Sequence, residues 1–178
     1  MTSNIINIDL NLLIDIDDIT SKELENMEPM NVDYIPWLYE RKKGFNNDLY
    51  FLSGRGKWLL FFEKQNMNQQ WKQVKELFRN GRLDNVEYIK CSTNYVSEKT
   101  PSNNLGVISF YCVDSDDKNK ILSIGNNIIQ LLNYTNMEYI YYKTDDQTKF
   151  GCRTTGSSYN YLYKICNILY NNDQFIDD

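Results

Sequence analysis

Residues 56–83 read GKWLLFFEKQNMNQQWKQVKELFRNGRL, and this stretch decides the fold class. Trp58, Leu59, Leu60, Phe61 and Phe62 form an unbroken apolar run of strand length, the pattern of a central strand covered on both faces. The period then changes. Met67, Trp71, Val74 and Phe78 recur at helical spacing, with Asn66 or Asn68 placed to cap the helix and Gly81 placed to end it. A buried strand that runs directly into an amphipathic helix calls for a sheet with helices laid against it.

The same alternation extends in both directions. Upstream, Trp37–Arg41 reads as a short strand. Downstream, Val86–Cys91 and Val107–Val113 read as strands, separated by a polar loop (94–106) that contains Pro101. Ser115 or Asp116 is expected to cap a helix that places Ile121, Ile124, Ile128 and Leu131 on one face. Glu138–Lys143 reads as a strand rich in Tyr and Ile. A turn through Asp145 and Asp146 leads to a short strand near Phe150, and a last helix is expected over about Ser158–Tyr170, where Leu162, Ile165 and Leu169 share a face. The predicted order is β-β-α-β-β-α-β-β-α. Paired strands between helices give an α+β class: an antiparallel sheet backed by about three helices on one face.

The chain has 178 residues, 42% of them hydrophobic, enough for one domain with a packed core. Its charge is divided. Residues 1–33 hold eight acids against the single base Lys22, and residues 171–178 add Asp173, Asp177 and Asp178, so a chain of net charge −5 contains a basic body between acidic ends. The organisation expected is an acidic arm (1–33), one α+β domain (34–170) and an acidic tail (171–178). In the arm, Ile6, Ile8, Leu10, Leu12, Ile14 and Ile16 alternate with Asn7, Asp9, Asn11, Leu13, Asp15 and Asp17. This is the pattern of an edge strand of the domain's own sheet, or of a strand given to a protein partner or a second copy of the chain.

Several chemistries are excluded at this stage. With no histidine, the chain has no His-based triad, proton shuttle or His-containing metal site. Cys91, Cys112, Cys152 and Cys166 form no CxxC pair, so free thiols in a reducing, cytoplasmic setting are expected, with no metal and no cofactor. No apolar run is long enough to cross a membrane. The 23 Asn, 17 Ile and absence of Ala point to an AT-rich genome, for instance that of a protist or a large DNA virus, and leave the helices to be held by tertiary packing.

What remains is a set of basic and hydroxyl residues at strand ends. Arg55 and Lys57 precede the Trp58 run, Lys90 lies inside an apolar strand, and Lys143, Thr144 and Asp145 end the aromatic strand, with Thr148 and Arg153 after them. A lysine inside an apolar strand must snorkel to water, pair with an acid or meet an anion, since burying an unpaired ammonium is costly. Asp145, two residues from Lys143, is placed to pair with it. Together these groups suit an anion: ammonium groups for its charge, and Thr144 and Thr148 hydroxyls to donate hydrogen bonds. Trp37, beside Pro36, is the tryptophan left free to wall a ligand, because Trp58 and Trp71 fall at core positions.

The same segments carry a resemblance. PWLYERKKG, GKWLLFFEKQNMNQQWKQVKELFRNGRL, EYIKCST, GVISFYCVDSDDKNKI and YIYYKTDDQT resemble, in order and spacing, a family of small proteins over roughly residues 36–153. Its bacterial members are named for a phosphothreonine lyase domain, and it has a eukaryotic relative, Bles-zero-three. That family is similar in fold to translation initiation factor 4E, which implies a curved antiparallel sheet backed by helices. The resemblance implies a phosphorylated ligand, a nucleotide or an RNA 5′ end, at the Lys/Thr cluster. The lyase name implies instead a metal-independent elimination with Lys143 or Lys90 as base. An interaction module acting through the N-terminal strand is the third possibility.

Overall fold

A computed structural model describes residues 26–42, 55–96, 104–150 and 160–170. Six strands are present among these residues: β1 (Trp37–Arg41), β2 (Gly56–Glu63), β3 (Val86–Ser92), β4 (Leu105–Cys112), β5 (Tyr139–Thr144) and β6 (Tyr163–Cys166). Three of the α-helices among the described residues accompany them: α1 (Met67–Arg79), α2 (Lys118–Leu132) and α3 (Asp145–Phe150). The strands form one curved antiparallel sheet in the order β1-β3-β4-β2-β5-β6. The α+β class expected from the sequence is the class observed. The N-terminal strand pattern at Ile6–Ile16 lies outside the described residues.

The core fills the space between one face of the sheet and helices α1 and α2. From β2 it takes Trp58, Leu60 and Phe62, from β4 Ile108, Phe110 and Cys112, and from the helices Trp71, Val74, Ile121 and Ile128. Trp58 is fully buried, and its indole N–H donates to the Ile121 carbonyl at 3.1 Å, so the largest ring of β2 is satisfied by α2. Gly125 lets α2 come this close: a Cβ there would lie 2.6 Å from Ile165 and 2.7 Å from Trp58.

Helix α1 ends as its sequence requires. Gly81 has φ +68°, Gly81 N–H donates to the Phe78 carbonyl, and Arg82 N–H reaches back to Leu77. That is the paired bonding of a Schellman motif. At its start, Asn66 occupies the cap position without a side-chain bond, whereas Asn68 Oδ1 accepts from Met30 N–H and ties the Pro29–Asn31 turn to the helix.

Four local expectations are corrected. The cap of α2 is Asp117, whose carboxylate accepts from Lys120 N–H at 3.0 Å, rather than Ser115 or Asp116. In the same helix, Ile129 and Leu132 are buried, while Leu131 is only partly so. The segment Asp145–Phe150 is a helix and not a turn into a strand. Thr144 Oγ accepts from Gln147 N–H, and Gln147 Oε1 accepts from Thr144 N–H, a reciprocal box that starts α3. Lastly, Tyr163–Cys166 is a strand and not part of a helix. It pairs with β5, Tyr139 to Cys166 and Tyr142 to Tyr163, and satisfies backbone groups that β5 would otherwise leave open on that side. The observed order therefore ends β-α-β.

Two side chains close the region around β5. The Tyr134 hydroxyl accepts from Phe61 N–H and donates to the Phe61 carbonyl, just where the pairing of β2 with β5 ends at Leu59 and Tyr141. Buried Asn167 donates to the Tyr134 and Met137 carbonyls and holds the connection from α2 to β5.

Candidate functional site

Along each strand the side chains alternate between the core and the face that no described helix covers. The register shows what stands on that face, which is open toward β1 and toward β5 and β6 but closed at its centre, where Tyr88, Ser109, Tyr111 and Lys57 are buried. One row across five strands reads Arg41, Tyr88, Tyr111, Lys57, Lys143. The next row reads Tyr39, Lys90, Ser109, Leu59, Tyr141, Lys164 across all six. In a protein of net charge −5, these rows gather five cations on one face of one sheet.

Lys57 and Lys143 are direct cross-strand partners. Lys57 is 7% exposed, lies 4.9 Å from the centre of the Tyr111 ring, and donates to Asp145 Oδ1 at 2.7 Å. The sequence paired Asp145 with Lys143. The start of α3 decides otherwise: Asp145 N–H donates to the Arg55 carbonyl, which draws this residue toward the start of β2 and beside Lys57. Lys143 is half-buried and makes no ion pair among the described residues. Like charges directly opposite in a sheet repel, so Lys143 holds an ammonium that no described acid compensates.

The other expected residues divide. Lys90 stands on the same face as Lys57 but two strands away. Its ammonium lies 4.0 Å from the centre of the Trp37 ring and 5.3 Å from that of Tyr39. Trp37 is thus a partner of Lys90 at the β1 side, four strand spacings from Lys143, or about 19 Å at ~4.8 Å per spacing. Arg55 is buried. The Thr148 hydroxyl donates to the Thr144 carbonyl at 3.0 Å, and Thr144 Oγ is engaged in capping α3. The Thr148 hydroxyl is thus spent within α3, whereas Thr144 Oγ serves the helix as an acceptor and keeps its own O–H to donate. Arg153 lies outside the described residues.

Sequence reasoning missed the tyrosines. Tyr88 and Tyr111 stack with ring centres 4.0 Å apart and planes 15° apart, both are buried, and the Lys57 ammonium lies over the Tyr111 ring. At the other side, Tyr141 meets Tyr161 at 4.9 Å, and Lys164 lies 4.7 Å from the centre of the Tyr139 ring. The signal for Tyr139 and Tyr141 was present as period two with Lys143. Lys164 and Tyr161 were hidden by the helix expected over them.

Residues 53–151 match the family model described as basophilic leukemia-expressed protein Bles03. In structure the chain is similar to schistosome eIF4E complexed with m7GpppG and 4E-BP, with TM-score 0.61 and 18% identity over 84% of this chain and 81% of that one. It is also similar to Ascaris suum eIF4E-3 with m7G cap, with TM-score 0.56 and 15% identity over 88% and 79%. A third likeness is to C. elegans eIF4E-3 with the 4E-binding protein Mextli, with TM-score 0.51 and 15% identity over 64% and 66%. No curated protein sequence matches the chain. At such identities the likeness is one of fold.

Proposed function

The chain belongs to the Bles03 family, and we propose that it is a binding module for a phosphorylated ligand, a nucleotide or an RNA 5′ end, held at Lys57 and Lys143 on the open face of the sheet. The observation that carries this reading is the pair itself: two ammonium groups face each other across β2 and β5, and Asp145 compensates only one. A phosphate at Lys143 supplies the missing counter-charge through charge-assisted hydrogen bonds. The cap nucleotides bound to the schistosome and Ascaris proteins of the same fold support this choice of ligand class.

The test is thermal stabilisation of the full chain by GTP, m7GTP, ATP and pyrophosphate, repeated with Lys143→Met. A ligand at 100-fold its dissociation constant stabilises by about 2.7 kcal/mol, which is easily read as a shift in melting. Binding is expected to weaken with added salt and to fall at least about tenfold in the Lys143→Met chain, since a charge-assisted bond is worth roughly 1.5–3 kcal/mol. Equal affinity of wild type and Lys143→Met for a bound nucleotide would remove the site from this face. Release of phosphate from a phosphothreonine peptide would give the lysines the role of a base instead.

A further inference from the structure

The phosphate site leaves open where the base of a bound nucleotide rests, and the register places two aromatic groups on the open face at very different distances from it. Trp37 stands four strand spacings from Lys143, roughly 19 Å along the sheet, and its lysine, Lys90, stands three. Tyr141 stands on the same face of the same strand, two residues from Lys143 and so about 6.8 Å away. The Tyr141 ring meets Tyr161 at 4.9 Å. One further step along β5, Tyr139 presents its ring beneath Lys164, 4.7 Å from the ammonium. Lys164 is itself the cross-strand partner of Tyr141. The Tyr139 hydroxyl donates to the neighbouring Glu138 carboxylate, which raises the tyrosine's pKa above its ordinary value.

Along β5 and β6 this face therefore carries Lys143, then Tyr141 with Tyr161, then Tyr139 with the ammonium of Lys164, a β6 residue opposite Tyr141, over its ring. A single nucleotide with its phosphate at Lys143 and its base at Tyr141 uses half of this run. The second ring and second cation repeat the same pair of functions one nucleotide farther on. Resting on the phosphate site above, we infer that the base-stacking part of the site is the Tyr141–Tyr161 pair, and that the ligand is a single-stranded polynucleotide of at least two residues laid along β5. Stacking on tyrosine accepts any base, and lysines beside the rings follow the phosphates, which is how sequence-tolerant single-strand sites are built. The flat π-faces favour a nucleic acid over an acidic peptide, which would need the cations alone.

The experiment is fluorescence anisotropy of the full chain with 5′-labelled oligouridine and oligoadenosine of two, four and eight nucleotides, with unlabelled mononucleotide and a polyglutamate peptide as competitors. The dinucleotide is expected to bind tighter than the mononucleotide. Tyr141→Leu is expected to weaken oligonucleotide binding roughly fivefold or more, the loss of one stacked base. Lys164→Met, at an exposed position on the edge strand, is expected to weaken the dinucleotide but not the mononucleotide, and it keeps the test valid if Tyr141→Leu melts early. Mononucleotide binding that a second nucleotide does not strengthen would overturn the inference while leaving the phosphate site in place. If neither mononucleotide nor oligonucleotide binds, the phosphate site itself fails. A Trp37→Leu chain that loses as much as Tyr141→Leu would move the base to the β1 side and overturn the assignment, as would displacement by polyglutamate as effective as that by oligouridine.

Discussion

Lys57 and Lys143 face each other across β2 and β5, and the Asp145 carboxylate goes to Lys57 at 2.7 Å. The asymmetry follows from burial. Lys57 is almost covered, whereas Lys143 is only half-covered, so the carboxylate stabilises most where solvent is scarcest.

Removing that carboxylate should therefore cost stability. Asp145→Asn is expected to lower the unfolding free energy by roughly 1–2 kcal/mol, below the value for a fully buried pair because Asp145 is 41% exposed. Lys57→Met combined with Asp145→Asn should recover most of the loss, since no unpaired charge remains. Lys143→Met should leave stability unchanged or raise it by up to about 1 kcal/mol as the cross-strand repulsion disappears. Urea denaturation of the four chains checks the set, and an Asp145→Asn chain as stable as wild type would show that the ion pair contributes nothing.

Gly125 in α2 should not tolerate a methyl group. Glycine to alanine inside a helix ordinarily stabilises by about 1 kcal/mol. Here the added Cβ would stand 2.6–2.7 Å from Ile165 and Trp58, so overpacking should reverse the sign and destabilise by roughly 1–3 kcal/mol. Thermal melting of Gly125→Ala reads the sign directly.

The cysteines should separate by reactivity. Burial pushes the Cys91 and Cys112 thiols well above their ordinary pKa, with Glu87 adding to the effect at Cys112, while Cys166 is exposed on the edge strand. Native-state alkylation with iodoacetamide at pH 8, mapped by mass spectrometry, should label Cys166 and spare Cys91 and Cys112. Both buried thiols should react once the chain is unfolded in denaturant. Raised pKa values mean that both buried thiols stay protonated in the folded protein as the pH is brought up to 9.

The N-terminal pattern at Ile6–Ile16 predicts that one of its faces becomes covered, and the terminal strands of the described sheet are β1 and β6. Amide exchange should show protection of residues 6–16. Protection independent of concentration would mean pairing within the chain. Protection that grows with concentration would mean pairing between chains, and none at any concentration would end the strand reading.

Much of this architecture was legible in the order of residues. The apolar run at Trp58, the helical spacing of Met67, Trp71, Val74 and Phe78, and the stop at Gly81 all have local causes, and all appear where those causes put them. The segment 158–170 was misread because Leu162, Ile165 and Leu169 also satisfy a helical spacing. Four residues of strand are too few for period two to outweigh it, and the open side of β5, which the sequence does not display, decided the matter.

The sequence by itself determined the α+β class, the strands from β1 to β5, and the presence of lysines at strand positions where an ammonium needs a counter-charge. Only the tertiary structure decided which lysines are neighbours. Side-chain alternation is a property of one strand and can be read along it, but strand order and register arise from pairing between segments far apart in the chain. That pairing set Lys57 against Lys143, sent Asp145 to the first and not the second, and moved Lys90 to the side of Trp37. It also brought Tyr161 and Lys164, which the residue order placed on a helix, to the face that carries Lys143.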